Sequence, residues 1–364
     1  MKVILSGGGT GGHVYPAIAV ADALRERMPE AEILFVGAKG RMEMEKVPAA
    51  GYEVRGLWIS GLDRRLSLRN LLFPVKVLSS LMTAHSLLRQ FRPDVVAGFG
   101  GYASGPLLRA ASAMGLPVVI QEQNSYAGIT NKLLATKARK ICVAYPGMER
   151  FFPREKIVLT GNPVRKDLQD LKDRRSQAMS FFGLDDRKKT LLLFGGSLGA
   201  RKLNEVMSTQ TEFFRKHDDI QVLWQMGKLY AEKYATSDTA NLYNVHAMPF
   251  IDKMDLAYAA SDVVICRAGA LTISELCLAG KAAVLVPSPN VAEDHQTKNA
   301  LALVEHGAAV MVHDSSSSED LMQAVVDILN HPDKKLGLEL SIATLAKPDA
   351  AARIADIIIN EAKR

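Results

Sequence analysis

Ser6-Gly7-Gly8-Gly9-Thr10-Gly11-Gly12-His13 follows the apolar run 3–5 and precedes a helical pattern that is expected to begin near Pro16. A strand, a glycine turn and a helix in this order are typical of the opening of a Rossmann-like unit. Glycine allows positive φ and close backbone approach, and the N-terminus of the next helix presents N–H groups that suit an anion. The stretch therefore predicts a parallel α/β sheet with a phosphate-binding turn.

Short apolar strands alternate with helical patterns along the whole chain, and the pattern restarts near Gly161. Such alternation is typical of parallel sheets covered on both faces. We predict an α/β fold of two Rossmann-like domains facing each other across a cleft, 1–160 and 161–347, with the helix 348–364 packing back on the first and a charged helix at 165–177. The predicted strands are 3–6, 32–36, 95–98, 118–121, 140–143, 157–160, 190–194, 221–225, 263–266 and 283–286.

Composition excludes several classes of protein. The chain has 364 residues, a net charge of +6 and 6% aromatic residues, without a basic run interleaved with aromatics, so we expect no nucleic-acid partner. Residues 1–5 do not form a signal peptide, and no apolar run approaches the roughly 20 residues of a spanning helix. Cys142, Cys266 and Cys277 lie in apolar stretches and are predicted to be buried, reduced thiols. We therefore expect a protein that is cytosolic or bound to the cytosolic side of a membrane.

Two more glycine turns follow predicted strands, Gly100-Gly101-Tyr102-Ala103-Ser104-Gly105-Pro106 and Gly195-Gly196-Ser197-Leu198-Gly199-Ala200-Arg201. A single such turn is as compatible with a tight turn as with a ligand site, but three at strand ends favour a ligand. No acidic residue follows the strand 32–36, which disfavours a nicotinamide dinucleotide. The chain also lacks a P-loop motif and a D-x-D pair, so we expect no metal and no cofactor.

Seven motifs occur in order over nearly the full length of the chain. They are 8–13, 100–106, Gln121-Glu122-Gln123-Asn124, Gly161-Asn162-Pro163-Val164-Arg165, 195–201, 267–275 and 294–300. With these motifs the chain resembles the MurG family, the peptidoglycan N-acetylglucosaminyltransferases of the GT-B fold. This resemblance implies inverting, metal-independent transfer of N-acetylglucosamine from its UDP donor to the C4 hydroxyl of lipid I, an undecaprenyl-linked acceptor, to form lipid II.

The resemblance also implies a division of labour, with the donor on the C-terminal domain and the acceptor on the N-terminal one. Ser197 is expected at the diphosphate, Glu275 at the ribose hydroxyls, and Phe250 with Ile251 at the uracil. The alternative for Glu275 is that its negative charge only stabilises the N-terminus of a helix. Further expected donor residues are Asn124, Arg165, Ala270, Leu271, Thr272, His295 and Gln296; the expected acceptor-side residues are Thr10, Gly11, Gly12, Gly101 and Tyr102.

His13 is the candidate general base, since an imidazole titrates near working pH and can take the proton of the acceptor hydroxyl. Its alternative role is to orient the glycine turn or to bind a phosphate. Two rival functions for the chain remain open at this point. A UDP-sugar epimerase would use the same fold without a lipid acceptor, and a nicotinamide-dependent oxidoreductase would need the missing ribose-binding acid.

The apolar stretch 71–82 is the candidate membrane contact. Apolar residues flanked by basic ones suit the surface of an anionic leaflet, which would place the protein peripherally on the cytoplasmic face of the bacterial inner membrane. An amphipathic helix packed on the first domain is the alternative. The residues of this predicted patch are Arg64, Arg65, Arg69, Leu72, Phe73 and Lys76.

Overall fold

The computed structural model describes residues 1–61, 72–164, 166–168, 171–196, 198–291 and 294–363. The chain divides into two compact units, Met1–Arg165 together with Lys347–Arg364, and Lys166–Ala346. Each unit is built on its own parallel sheet.

The first unit contains a seven-stranded parallel sheet with the order β3-β2-β1-β4-β5-β6-β7. The chain leaves β1 in one direction for β2 and β3, and then returns to the other side of β1 for β4. Loops that leave the two strands at this reversal point lie next to each other. The strands are β1 Lys2–Ser6, β2 Glu32–Ala38, β3 Glu53–Leu57, β4 Val95–Gly98, β5 Val118–Glu122, β6 Lys140–Val143 and β7 Ile157–Leu159.

Helices cover both faces of this sheet because its strands are apolar on both sides. Ile4 lies in one buried cluster with Leu88 and Leu107, and its neighbour Leu5 lies in the opposite cluster with Leu24, as the two-residue period of a strand requires. The helices of this part are α1 Gly11–Arg27, α2 Glu43–Ala49, α3 Phe73–Phe91, α4 Ser104–Ala113 and α5 Ile129–Leu134, with 3₁₀ turns at Met148–Arg150 and Arg154–Lys156.

The second unit repeats the arrangement with a six-stranded parallel sheet, in the order β10-β9-β8-β11-β12-β13. Its strands are β8 Lys189–Phe194, β9 Ile220–Gln225, β10 Val245–Met248, β11 Val263–Cys266, β12 Ala283–Leu285 and β13 Val310–Met311. Its helices are α6 Arg175–Phe182, α7 Arg201–Ser208, α8 Thr211–Lys216, α9 Ala231–Tyr234, α10 Met254–Ala260, α11 Ala270–Ala279, α12 His295–Val304, α13 Ser318–Asn330 and α14 Pro332–Thr344, with 3₁₀ turns at Lys166–Leu168 and Lys172–Arg174.

The last helix, α15 Ala350–Ala362, belongs to the first unit. Its Ile354 and Ile358 are fully buried in the cluster that contains Val20 and Leu24 of α1. The first unit also extends past residue 160, the boundary predicted from the sequence. The Asn162 side chain accepts a hydrogen bond from Gln121 Nε2 at 3.0 Å and donates one to the Gln123 carbonyl at 3.0 Å, so the chain leaves the first unit only after Arg165.

Two predictions from the pattern are wrong. The charged helix at 165–177 is absent from the described part of that segment, which forms 3₁₀ turns until α6 begins at Arg175. Leu168 and Leu171 are its buried apolar anchors, too few for an amphipathic helix face. Helix α1 also begins at Gly11 rather than near Pro16, so His13 lies on its first turn.

No helix in the described part of the chain is long and apolar enough to cross a membrane. The three cysteines are buried, as predicted. Burial raises the pKa of Cys142 and of Cys277 to about 12, which keeps both thiols protonated at neutral pH.

Candidate functional site

The glycine turns after β1 and β4 touch each other at the reversal point of the first sheet. The Phe99 N–H donates to the Ser6 carbonyl at 2.7 Å. Gly101 has a φ of +87°, and a Cβ at this position would overlap the carbonyl oxygen of Gly8. Only glycine permits this backbone contact, so Gly101 joins the two turns into one surface.

His13 faces this surface from the first turn of α1. Its Nδ1 lies 3.1 Å from the Gly8 carbonyl oxygen and 3.2 Å from Thr10 Oγ1. A carbonyl oxygen only accepts hydrogen bonds, so this contact requires a proton on Nδ1. In the neutral ring the lone pair is then on Nε2, the nitrogen that is able to take up a proton.

The first glycine turn differs from a simple phosphate-binding loop at Gly9. Its N–H donates to the Glu43 carboxylate at 3.0 Å, and Glu43 is completely buried at the start of α2. A carboxylate already occupies the position that a phosphate oxygen would take. Phosphate binding is therefore expected only at the exposed part of the turn. This part consists of Thr10 and Gly12, with Gly11 between them.

Asn124 follows β5 at the same edge of the first sheet. Its backbone N–H donates to Glu122 Oε1 at 3.1 Å, and the other oxygen of Glu122 accepts from Asn131 Nδ2 at 2.8 Å. Glu122 therefore holds the segment that carries Asn124. Tyr102 lies next to this edge in the turn after β4, with its ring exposed and packed against Gly61.

The donor-side residues of the second unit follow the ends of its strands. Gln225, at the end of β9, donates to the Gly196 carbonyl at 3.0 Å and accepts from the Ile251 N–H at 2.9 Å. Gln225 thereby joins the second glycine turn to the segment that carries Phe250 and Ile251. The Ile251 N–H is thus bonded within the protein and the Ile251 side chain is buried, while the expected place of Ile251 at the uracil stays a prediction. Phe250 stays half-buried at this edge.

Glu275 projects from the second turn of α11, which begins at Ala270 after the N-cap Gly269. Tyr258, a fully buried tyrosine on α10, donates its hydroxyl to Glu275 Oε2 at 3.2 Å. The carboxylate is therefore oriented by a rigid neighbour. Its place in the second turn argues against the alternative of a simple charge effect at the helix N-terminus, which fades after the first turn. The half-buried Leu271 and Thr272 lie in that first turn.

Gln296 and His295 begin α12, after β12. The Gln296 side-chain oxygen accepts a hydrogen bond from the Ser288 N–H at 2.8 Å. This bond fixes the orientation of the amide, so that its N–H groups are the part that can donate to a ligand. Arg267 holds the neighbouring segment: its guanidinium donates to the Val286 and Pro287 carbonyls and pairs with Asp314. The predicted Arg165 and Ser197 lie outside the described residues.

The predicted membrane segment forms a helix with two apolar faces. Ser80, Ala84 and Leu88 of α3 are buried against the first unit, whereas Leu78 and Met82 are 61% and 67% exposed. Lys76 donates to Ser60 Oγ at 2.9 Å. Leu72 is exposed and Phe73 is half-buried, while Arg64, Arg65 and Arg69 lie outside the described residues. The packed-helix alternative accounts for one face of α3 and leaves an apolar stripe on the other.

Sequence reasoning missed four residues that fix the candidate site. Glu43, Gln225 and Tyr258 each bond to a predicted site residue or to the turn that carries it. Arg267 bonds to the Pro287 carbonyl, next to Ser288, whose N–H bonds to Gln296. Arg267 stood inside a quoted motif without an assigned role. The other three are remote in sequence from the groups they hold, so no local motif marks them.

Two family models match the chain, each on one half. Residues 3–143 match the glycosyltransferase family 28 N-terminal domain, and residues 190–354 match the family 28 C-terminal domain. Together with the two parallel α/β units, this defines a glycosyltransferase of the two-domain GT-B class. The chain belongs to glycosyltransferase family 28, and within it to the MurG group of N-acetylglucosamine transferases, as its relatives identify it.

Those relatives are similar over nearly the whole chain. Proteins named UDP-N-acetylglucosamine--N-acetylmuramyl-(pentapeptide) pyrophosphoryl-undecaprenol N-acetylglucosamine transferase are 55% identical in Cytophaga hutchinsonii (97% of this chain, 95% of the relative) and 53% identical in Parabacteroides distasonis (98% and 97%). The crystal structure of Acinetobacter baumannii MurG is 32% identical, covers 99% of both chains and has a TM-score of 0.77.

A likeness to epimerases extends to the fold alone. The Neisseria meningitidis UDP-GlcNAc 2-epimerase bound to UDP-GlcNAc has a TM-score of 0.68 at 15% identity and covers 99% of both chains. The much higher identity to the transferases decides between the transferase and the epimerase.

Proposed function

We propose that the chain transfers N-acetylglucosamine from UDP-N-acetylglucosamine to the C4 hydroxyl of the N-acetylmuramyl unit of lipid I. The product is the β-1,4-linked disaccharide of lipid II, used in peptidoglycan synthesis. The observation that carries this proposal is the 55% identity over 97% of the chain to a transferase of that name. The enzyme is a glycosyltransferase of family 28, and no rival function has comparable support.

The second unit holds the donor in this proposal. Glu275, oriented by Tyr258, accepts hydrogen bonds from the two ribose hydroxyls, as a carboxylate with two oxygens does well. Gln296 donates its amide N–H groups to the sugar, with His295 beside it. Phe250 lies along the uracil, and the turn that contains Ser197 carries the diphosphate, together with the first turn of α11, Ala270 to Thr272. Arg165, at which the chain leaves the first unit, is a further proposed phosphate contact.

The first unit holds the acceptor and supplies the base. The acceptor O4 attacks the anomeric carbon, the bond from that carbon to the UDP oxygen breaks, and the hydroxyl proton moves to Nε2 of His13. The Nδ1–H bond to Gly8 supports this role because it fixes the lone pair on Nε2. Thr10, Gly11 and Gly12 receive the lipid-linked diphosphate at the N-terminus of α1, beside Gly101, Tyr102 and Asn124.

The apolar stripe of α3 docks the enzyme on the membrane that contains the lipid acceptor. Leu78 and Met82 enter the interface, and the basic residues Lys76, Arg64, Arg65 and Arg69 supply the attraction to anionic headgroups. The exposure of large apolar side chains on one face of a helix supports this proposal. In this proposal the enzyme docks on the cytoplasmic face of the bacterial inner membrane, where a UDP-activated donor is available.

The assay that tests the proposal measures UDP release. The pure protein is incubated with UDP-N-acetylglucosamine in EDTA, with and without a short-chain lipid I analogue. We expect UDP release that depends on the acceptor and does not need a divalent cation. Epimerisation of the donor without the acceptor, or the absence of UDP release with it, contradicts the proposal.

A further inference from the structure

Glu43 is a buried carboxylate that the transfer mechanism above does not use. It is 0% exposed at the first residue of α2 and accepts two backbone hydrogen bonds, from Ala38 N–H to Oε1 at 2.8 Å and from Gly9 N–H to Oε2 at 3.0 Å. One donor comes from the end of β2 and the other from the glycine turn after β1. Burying a carboxylate is costly unless its oxygens are bonded, and here both oxygens are.

Two glycines make the space that Glu43 occupies. A Cβ at Gly8 would overlap the Glu43 carboxylate, and a Cβ at Gly37 would overlap its Cγ. Gly8 lies in the turn and Gly37 lies in the adjacent strand β2. The glycines of this turn therefore serve an internal carboxylate as well as any external ligand.

The peptide unit between Gly8 and Gly9 connects Glu43 to His13. Its N–H, on Gly9, donates to Glu43 Oε2, and its carbonyl, on Gly8, accepts from His13 Nδ1 at 3.1 Å. The two bonds lie on opposite ends of one planar unit. Bonds in such a chain polarise one another, so a carboxylate at the N–H end strengthens the carbonyl as an acceptor.

We infer that Glu43 is a positioning residue for His13, acting through the Gly8–Gly9 peptide. It fixes the orientation of that peptide, so that the carbonyl holds the Nδ1–H tautomer and directs Nε2 of the ring toward the reacting hydroxyl. This is the task that a carboxylate performs directly in many histidine-dependent sites, carried out here with one peptide unit between the two side chains. The inference rests on the proposed function of His13 as the base.

The test is Glu43→Gln, which keeps the size of the side chain but replaces one accepting oxygen with a donating amide. One of the two backbone N–H groups then loses its acceptor, and in either orientation of the amide the negative charge at the N–H end of the Gly8–Gly9 peptide is removed. The tautomer of His13 is measured by the ¹⁵N chemical shifts of Nδ1 and Nε2. A purely structural role of Glu43 would leave this tautomer unchanged. We expect mainly Nδ1–H in the wild-type protein and an increased Nε2–H fraction in the variant.

Kinetics give the second readout. We expect kcat of Glu43→Gln to fall at least about tenfold, as for other groups that orient a functional histidine, with an unchanged KM for UDP-N-acetylglucosamine. The control is Glu45→Gln on the same helix, since the Glu45 side chain is 72% exposed and pairs with Lys46. That control is expected to keep the wild-type tautomer and kcat.

A folded Glu43→Gln protein with the wild-type tautomer of His13 overturns the inference, whatever its activity. Should Glu43→Gln fail to fold, Glu43→Asp replaces it, because a shorter carboxylate cannot reach both N–H groups and is expected to shift the tautomer in the same direction. A shifted tautomer with unchanged kcat supports the positioning role of Glu43 and instead contradicts the base role of His13. The two failures are thereby distinguishable.

Discussion

His13 is the residue on which the proposed chemistry depends most directly. We expect His13→Ala to lower kcat by about 10²- to 10⁴-fold, the usual contribution of a general base. Its affinity for UDP-N-acetylglucosamine is expected to be unchanged, because His13 is not among the proposed donor contacts. Steady-state rates and titration calorimetry with the donor measure the two quantities.

His306→Ala is the matched control for that experiment. His306 is an exposed histidine of the second unit whose Nδ1 also contacts a carbonyl, that of Ala302 at 2.8 Å. It is expected to keep the wild-type rate. A His13→Ala enzyme that turns over as fast as this control contradicts the base role.

A substitution of Glu275 tests the proposed donor site. Glu275→Gln removes the charge from the proposed ribose contact but retains an oxygen for the Tyr258 hydroxyl. A hydrogen bond to a charged group is worth about 1.5–3 kcal/mol, so KM for the donor is expected to rise roughly 10- to 150-fold with a smaller change in kcat. Initial rates over a range of donor concentrations check this, with the exposed Glu305→Gln as control; an unchanged KM excludes the ribose contact.

The residues of the candidate site differ in how well the sequence predicts them. His13 and Gln296 belong to compact motifs, whose residue types and order predict a chemical role. Glu43 bonds to Gly9 across 34 positions, and Gln225 bonds to Ile251 across 26. These contacts depend on which strands are neighbours in the sheet and on where each strand ends, so neither partner is marked by a local pattern.

Helix α3 carries the membrane hypothesis at the scale of a secondary-structure element. The double variant Leu78→Ser, Met82→Ser removes two exposed apolar side chains, each worth about 1.5–3 kcal/mol when fully buried. We expect vesicle binding to weaken at least about tenfold, measured by co-sedimentation with phosphatidylglycerol vesicles. Binding is also expected to weaken at high salt, because salt screens the attraction between the basic residues of the predicted patch and the anionic lipids.

The matched control changes an exposed apolar pair of the second unit, Leu336→Ser with Leu340→Ser on α14. These residues are 52% and 61% exposed, so the loss of apolar surface is comparable. Vesicle binding of this control is expected to equal that of the wild-type protein. An equal loss in both double variants, or no loss in either, contradicts docking through α3.

Helix α15 contributes to the stability of the first unit although it is the last element of the chain. Ile358 is fully buried between α15 and α1, so Ile358→Ala is expected to lower the free energy of unfolding of this unit by about 2–5 kcal/mol. Urea denaturation measures the change. Ile357→Ala, at a partly buried neighbour, is expected to cost clearly less; equal costs would contradict this packing.

Elements at the sheet edges were the hardest to predict. Strands β3, β10 and β13 went unpredicted, and each is an edge strand. Glu53 and Arg55 of β3 pair with each other at the surface, and β13 has two residues. Edge strands are short or polar, as protection against further pairing requires, and so they lack the continuous apolar run that marked the central strands.

At the scale of the whole molecule, the repeated strand–glycine turn–helix pattern predicted two α/β units. The seven ordered motifs predicted the family, and the family models and the close relatives confirm it. The exact end of the first unit was not predictable, since it depends on the bonds of Asn162 to Gln121 and Gln123. The assignment of the donor to one unit and of the acceptor to the other stays a prediction.

The measurement that tests the central claim most directly is the structure of the product. The protein is incubated with UDP-N-acetylglucosamine and a short-chain lipid I analogue, and the glycosidic linkage of the purified product is determined by NMR. We predict one new N-acetylglucosamine residue, joined by a β linkage to C4 of the N-acetylmuramyl unit, with one UDP released per linkage. A product with an α linkage, a sugar on another hydroxyl, or an epimerised donor with an unmodified acceptor would contradict the account.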